Sequence, residues 1–181
     1  MAPKLSEEEI DDLIYFARAG EDEDLTSTIQ ALAEREGVSP AEVLVAAKDE
    51  GKSTCLHMAT GNGHLETVRK LLAYLEDRPR DEKQAYLDEA NEHGNTGLHW
   101  AALGGHLEVV KLLLDHGALP ALANERNYVP LDLAQFNDKD EVARYFLSFS
   151  GALEDKNQES GLSGAAEGMQ IEDEGDEVKK A

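Results

Sequence analysis

The sequence predicts an all-α solenoid of four tandem repeats, and three observations point there. One motif is written twice. Thr54-Cys55-Leu56-His57-Met58-Ala59 runs into Gly63-His64-Leu65-Glu66-Thr67-Val68, and Thr96-Gly97-Leu98-His99-Trp100-Ala101 runs into Gly105-His106-Leu107-Glu108-Val109-Val110. The equivalent leucines recur along the whole chain: Leu13 to Leu56 is 43 residues, Leu56 to Leu98 is 42, and Leu98 to Leu131 is 33. Between these marks, apolar residues fall at helical spacing and are punctuated by glycines and capping residues. Self-similarity at a period of about 20–50 residues is the sequence sign of a repeat array.

The elements follow in order. Ser6-Glu7-Glu8-Glu9 forms a capping box that opens a helix carrying Ile10, Leu13, Ile14, Phe16 and Ala17. Gly20 ends it, and a second helix carries Leu25, Ile29, Leu32 and Ala33 on one face. This first repeat lacks Thr-x-Leu-His, as suits a terminal repeat whose outer side meets water. Ser39-Pro40-Ala41-Glu42 starts a short helix inside an insert, with Val38 and Val43 as a hydrophobic staple. A second insert follows Pro79, where residues 81–90 read as another short helix with Tyr86 and Leu87 packing inward. The fourth repeat is degenerate: Val129-Pro130-Leu131-Asp132-Leu133-Ala134 stands in the motif's place, and Asp138 reads as the cap of a last helix bearing Val142, Tyr145, Phe146 and Leu147. The domain reading is a repeat domain over residues 1–153 and an acidic tail over 154–181. The tail has too little apolar surface to offset ordering entropy and is expected to be disordered.

Charge narrows the function. The net charge of -21 is carried mostly by the ends, at -10 over residues 1–50 and -6 over 154–181, against -5 over the long middle. Such a surface repels nucleic acid and steers basic partners toward itself, so direct nucleic-acid binding is not expected. A single cysteine excludes an internal disulfide and fits a reducing compartment. No apolar run approaches the roughly 20 residues that span a bilayer, and no secretory signal opens the chain, so no membrane role is expected.

Residues that invite a chemical reading have plainer ones. His57, His64, His99 and His106 recur at the repeat spacing, without a Cys/His set of zinc-ligand spacing, so no metal is expected. Gly61-Asn62-Gly63 lacks the Lys-Ser/Thr and the preceding strand of a phosphate loop and reads as an interhelical turn. Cys55 has no activating constellation, and the acidic run Glu172–Glu177 does not match a calcium-binding loop. No catalytic residue and no cofactor is expected.

The doubled motif resembles the ankyrin repeat over roughly residues 7 to 150. That resemblance implies that the Thr and His of each motif bond locally and between repeats, that Leu56 and Leu98 enter the core, and that Gly63 and Gly105 turn the chain. A closer similarity rests on Ala17-Arg18-Ala19-Gly20, Leu56-His57-Met58-Ala59, Gly63–Arg69, Gly94–Ala101 and Glu141-Val142-x-x-Tyr145-Phe146-Leu147, together with the two inserts and the acidic tail. In these the chain resembles the fungal ankyrin-repeat chaperones dedicated to a basic KH-domain ribosomal protein of the small-subunit head. The resemblance implies a non-enzymatic chaperone that holds the newly made protein soluble, masks its RNA-facing charge until assembly, and works in cytoplasm and nucleus as a monomer when free.

The expected binding face combines fingertips and inner helices. Fingertip candidates are Glu50, Gly51 and Ser53, then Glu92, His93 and Asn95, then Glu125, Arg126 and Tyr128. Inner-helix candidates are Met58, Trp100, Leu103 and Phe136, with the acidic turn Glu21, Asp22, Glu23 and Asp24 as an extension. Trp100, the sole tryptophan, carries two readings: packing between adjacent inner helices, or a binding hot spot. Two other functions stay open at this stage. One is a regulatory ankyrin adaptor or inhibitor of a kinase or transcription factor. The other is an acidic histone-type chaperone working through its tail.

Overall fold

A computed structural model describes residues 2–159, with side chains described for 2–150. Four helix pairs follow one another: α1 (Glu7–Ala19) and α2 (Asp22–Glu36), α4 (Cys55–Gly61) and α5 (Leu65–Ala73), α7 (Gly97–Gly104) and α8 (Leu107–Asp115), and α9 (Pro130–Phe136) and α10 (Asp140–Glu159). The inserts supply α3 (Pro40–Ala46) and α6 (Arg80–Leu87). The inner helices α1, α4, α7 and α9 pack in sequence, and α2, α5 and α8 back the first three of them. The only pairing of strand type among the described residues is the Lys48–Thr54 bridge at the base of the first finger. The predicted four-repeat helical solenoid with short hairpin fingers and two helical inserts is therefore what the chain forms.

The core is the leucine ladder. Leu13, Leu56 and Leu98 are buried, together with Leu25, Ile29, Val68, Leu71, Val110 and Leu113 from the outer helices. Small residues let the inner helices approach: Ala17, Ala59, Ala101 and Ala134 are fully buried. Burying such a leucine contributes roughly 1.5–3 kcal/mol before entropy is counted.

Thr-x-x-His is a capping box with imidazole in place of the usual carboxylate. Thr54 Oγ1 accepts from the His57 N–H, and His57 Nδ1 accepts from the Thr54 N–H at 3.1 Å. The opposite ring nitrogen, His57 Nε2, lies 2.8 Å from the Asn95 carbonyl of the next finger. His99 repeats the arrangement with Thr96 and with Tyr128 O, at 3.1 and 2.9 Å. Each ring is therefore the neutral Nε2–H tautomer: it closes its own helix and staples the following finger. Burial pushes both imidazoles below their ordinary pKa, which favours that neutral form. In the fourth repeat Asp132 caps Val129 N–H at 2.9 Å but has no second nitrogen to reach onward.

A second histidine pair staples backward. His64 Nε2 lies 2.8 Å from Arg18 O, and His106 Nε2 lies 3.0 Å from Gly61 O, at the C-terminal ends of the preceding inner helices. Gly63 is required twice over at this turn: its φ is +72°, and a Cβ would stand 2.5 Å from His106 Nδ1. Asp138, read from sequence as a helix cap, instead occupies the left-handed turn position with φ +57°. The reason is register, because Asp138 aligns with Gly63 and Gly105, and Lys139 with the two histidines.

The inserts meet each other. Ala41, Val45 and Ala46 of α3 and Ala85 and Tyr86 of α6 line a common cleft of about 440 Å³. Tyr86 and Leu87 are buried as expected, and Ser39 with Glu42 forms the predicted capping box. At the other end of the chain, the compact repeat body closes at Phe146 and a second unit begins at Leu147. Helix α10 runs through residue 153, where the sequence reading ended the repeat domain, to Glu159. The expectation of a disordered tail falls mainly on residues 160–181, which lie outside the described residues.

Candidate partner-binding face

Three fingers of one design flank the inner helices. In each, a turn folds back on its own backbone: Asp49 N–H to Ser53 O at 3.0 Å, Asn91 N–H to Asn95 O at 2.9 Å, Asn124 N–H to Tyr128 O at 2.9 Å. A side-chain oxygen at the turn's first residue then holds the loop. Asp49 Oδ1 accepts from Ser53 N–H at 2.8 Å, Asn91 Oδ1 from His93 and Asn95 N–H, and Asn124 Oδ1 from Arg126 and Tyr128 N–H, each at 3.0 Å. Asn and Asp are suited to this because their short side chains bond backbone N–H groups locally. The tips are linked to one another, with Glu92 N–H donating to Gly51 O at 2.9 Å and Glu125 N–H to His93 O at 3.1 Å. The fingers thus form a connected edge.

That edge presents the predicted tip residues. Glu50, Glu92, His93 and Glu125 are exposed, and Asn95 and Tyr128 are partly exposed. Ser53, by contrast, is buried: it sits at the finger base beside the Lys48–Thr54 bridge rather than at a tip. Glu50, Glu92 and Glu125 occupy one register, and Glu7 at the start of α1 falls in the same register by the repeat step. The outcome is one exposed carboxylate per repeat.

Two depressions mark this face. One, of about 410 Å³, collects His93, Asn95, Leu103, Glu125, Arg126, Tyr128 and Phe136 from the expected set and adds Asn124 and Leu133. Phe136 is 62% exposed, and its ring meets Tyr128 edge-on at 4.9 Å between centroids. An apolar ring left this open, with an aromatic neighbour fixing its angle, is a surface built to be covered. The other depression, about 570 Å³, lies between α1 and the first finger and is lined by Glu7, Ile10, Asp11, Lys48, Asp49, Glu50 and Gly51. Lys48 is paired with Glu89 at 2.6 Å, so its charge does not offset the carboxylates.

The inner-helix residues divide. Trp100 is half-buried: its Cβ and Cε3 lie about 3.5 Å from where a Gly61 side chain would begin, and its Nε1 is enclosed without a hydrogen-bond partner among the described residues. It therefore packs on the neighbouring inner helix and still reaches the surface. Met58 is also half-buried, and its sulfur lies 3.4 Å from Arg18 Nη2. Tyr15 occupies the same register as Met58, Trp100 and Leu133 and is 54% exposed. Sequence reasoning missed Tyr15 because the first repeat lacks the motif; the 43-residue step from Tyr15 to Met58 was the available signal.

The acidic turn Glu21–Asp24 stands apart from the finger edge. It lies at the C-terminal end of α1, whereas the fingers flank the N-terminal end, and a 13-residue helix separates the two by roughly 20 Å. Asp22 is also committed to packing, accepting from Thr67 Oγ1 at 2.5 Å and pairing with Lys70 at 3.3 Å. The extension expected from sequence is therefore set apart from the fingertips: charge composition located the acids but not the end of the helix they occupy.

Cys55, His57 and His99 are taken up by the scaffold. Cys55 is fully buried and burial pushes its thiol up to about 12, an inert state. Both ring nitrogens of His57 and His99 are engaged by backbone, and no group of three metal-ligating side chains occurs among the described residues.

Comparison with known proteins agrees with this geometry. The sequence profile for ankyrin repeats (3 copies) matches residues 81–160, and that for a single ankyrin repeat matches residues 52–77. The chain is 42% identical over 145 residues to the ankyrin repeat-containing protein YAR1 of Saccharomyces cerevisiae, covering 79% of this chain and 70% of that one. It is 35% identical over 141 residues to an ankyrin repeat-containing protein of Schizosaccharomyces pombe, covering 78% and 86%. Its fold matches a chain in the crystal structure of the yeast ribosomal protein Rps3 in complex with its chaperone Yar1. The TM-score is 0.74 at 38% identity, over 80% of this chain and 95% of that chain.

Proposed function

The chain belongs to the ankyrin-repeat family, and from that premise we propose that it is a dedicated, non-enzymatic chaperone of the small-subunit ribosomal protein Rps3. The observation that carries the proposal is the likeness to Yar1 in sequence and to the Rps3–Yar1 structure in fold, joined to a face whose chemistry suits a basic client. A ribosomal protein is basic because it binds rRNA, and before assembly that charge is unpaired. One exposed carboxylate per repeat along the finger edge supplies a neutralising row at fixed spacing. Complementary charge raises association rates above a neutral ~10⁵–10⁶ M⁻¹s⁻¹. Release follows from competition, because rRNA is the denser polyanion.

The protein acts in this reading as a monomer, on a protein client and not on nucleic acid or membrane, in the cytoplasm and the nucleus. It carries no obvious nuclear-localisation run, so nuclear entry would be with the client. Affinity purification of the full chain from a eukaryotic extract at moderate salt, with mass spectrometry of the partners, tests the proposal. Enrichment of Rps3 above other ribosomal proteins is expected. Recovery of kinases, transcription factors or histones without Rps3 would contradict it.

A further inference from the structure

The binding face differs in chemistry from one end to the other, and this bears on what part of a client it can hold. At the first-repeat end, Glu7, Asp11 and Glu50 present carboxylates around the depression of about 570 Å³, and none has an ion-pair partner among the described residues. At the fourth-repeat end, Leu103, Tyr128, Leu133 and Phe136 surround the depression of about 410 Å³, and Phe136 is the most exposed large apolar side chain among the described residues. Between the two ends run Met58 and Trp100, half-buried. The first depression lies between α1 and the finger preceding α4 and the second between α7 and α9, so about two steps of about 8–10 Å separate them, roughly 16–20 Å.

We propose that the face recognises a bipartite client epitope: a large apolar side chain seated among Leu103, Tyr128, Leu133 and Phe136, and lysine or arginine side chains placed about 16–20 Å away against Glu7, Asp11 and Glu50. This rests on the reading of the protein as a chaperone of a basic client and specifies which feature of the client is read. The argument is one of complementarity. An acidic field alone would accept any basic protein, because surface charge at these distances is screened and weakly directional. An apolar seat at a fixed distance from the carboxylates selects among basic proteins, because a side chain that fills it must be present in the right place. The polarity also orients the client, with its apolar anchor toward the last repeat and its basic part toward the first.

The test uses the full chain and recombinant yeast Rps3, with affinity measured by calorimetry across a salt series. Phe136→Ser is expected to weaken binding about tenfold or more while leaving the salt slope unchanged, since it removes an apolar contact and no charge. The triple variant Glu7→Gln/Asp11→Asn/Glu50→Gln is expected to weaken binding and flatten the salt slope. Glu23→Gln/Asp24→Asn, equally exposed acids at the far end of α1, is expected to change neither. Unchanged circular dichroism and melting for all three establish that the fold is intact. Binding of the Phe136→Ser variant at the native level would overturn the anchor. Equal effects of the triple variant and the Glu23/Asp24 control would overturn the placement of the basic part. Failure of the unaltered chain to bind Rps3 would instead remove the chaperone reading and this inference with it.

Discussion

Replacing His99 separates the two tasks that the structure gives to one ring. His99 is fully buried; Nδ1 accepts from Thr96 N–H at 3.1 Å and Nε2 lies 2.9 Å from Tyr128 O. In His99→Gln the amide can still close the capping box, as glutamine does at that position, but it cannot also reach the third finger. Only the bond to the Tyr128 carbonyl is lost, and that oxygen still accepts from Asn124 N–H, so the cost is about 0.5–1.5 kcal/mol. In His99→Ala the Thr96 N–H is orphaned as well, in a site that is 2% exposed, and a cavity replaces the ring. One unsatisfied N–H at roughly 1–3 kcal/mol, one lost hydrogen bond at about 0.5–1.5 kcal/mol and the cavity together give a loss of about 2–5 kcal/mol. Urea unfolding followed by circular dichroism reads the difference, and hydrogen exchange at Asn124 and Tyr128 reads the finger. Equal destabilisation by the two variants would refute the division of labour. So would an alanine variant that loses less than about 1 kcal/mol.

Other consequences follow from the same contacts. Stability is expected to fall with pH below about 6.5, because His57 and His99 bind protons less readily when folded than unfolded. Their contribution is complete above the unfolded value of 6.5 and is lost as pH drops through the lowered folded values, so a His57→Gln/His99→Gln variant should show a shallower decline across that window in pH-dependent melting. Gly63→Ala should cost more than about 1 kcal/mol in chemical denaturation, since alanine must adopt φ +72° against the His106 ring; a neutral result would show that the turn relaxes. Trp100→Ala should weaken Rps3 binding by roughly 2 kcal/mol in a titration while the helical spectrum persists, and global unfolding would assign Trp100 to the core alone. Raising salt from about 0.05 to 0.5 M should lower affinity steadily, and a flat response would exclude the carboxylate row from recognition.

Much of the fold was legible because repeat proteins write their contacts locally. Ser6 and Ser39 announced helix starts through capping chemistry, Leu13, Leu56 and Leu98 recurred at the repeat step, and the resemblance to the ankyrin repeat implied the buried leucines and the local bonds of Thr54 and Thr96. The fingertips were legible for the same reason: Glu50, Glu92 and Glu125 share one register. What escaped the sequence was long-range. The shared cleft of the two inserted helices depends on how separate repeats bring Val45 toward Ala85 and Tyr86, and no local pattern encodes it. Asp22 looked like free charge until packing placed it against Thr67 and Lys70 of the next repeat. Asp138 looked like a cap because aspartate is a favoured capping residue, yet the repeat register demanded a left-handed turn there, which aspartate tolerates better than most residues.

The central claim is that this chain keeps one basic ribosomal protein soluble by covering it. Light scattering of purified Rps3 at physiological salt, with and without an equimolar amount of the full chain, tests that directly. The account predicts that Rps3 aggregates alone, stays in solution as a defined complex with the chain, and remains soluble to a much lesser degree with the Phe136→Ser variant. Rps3 that aggregates equally in the presence of the unaltered chain would contradict it.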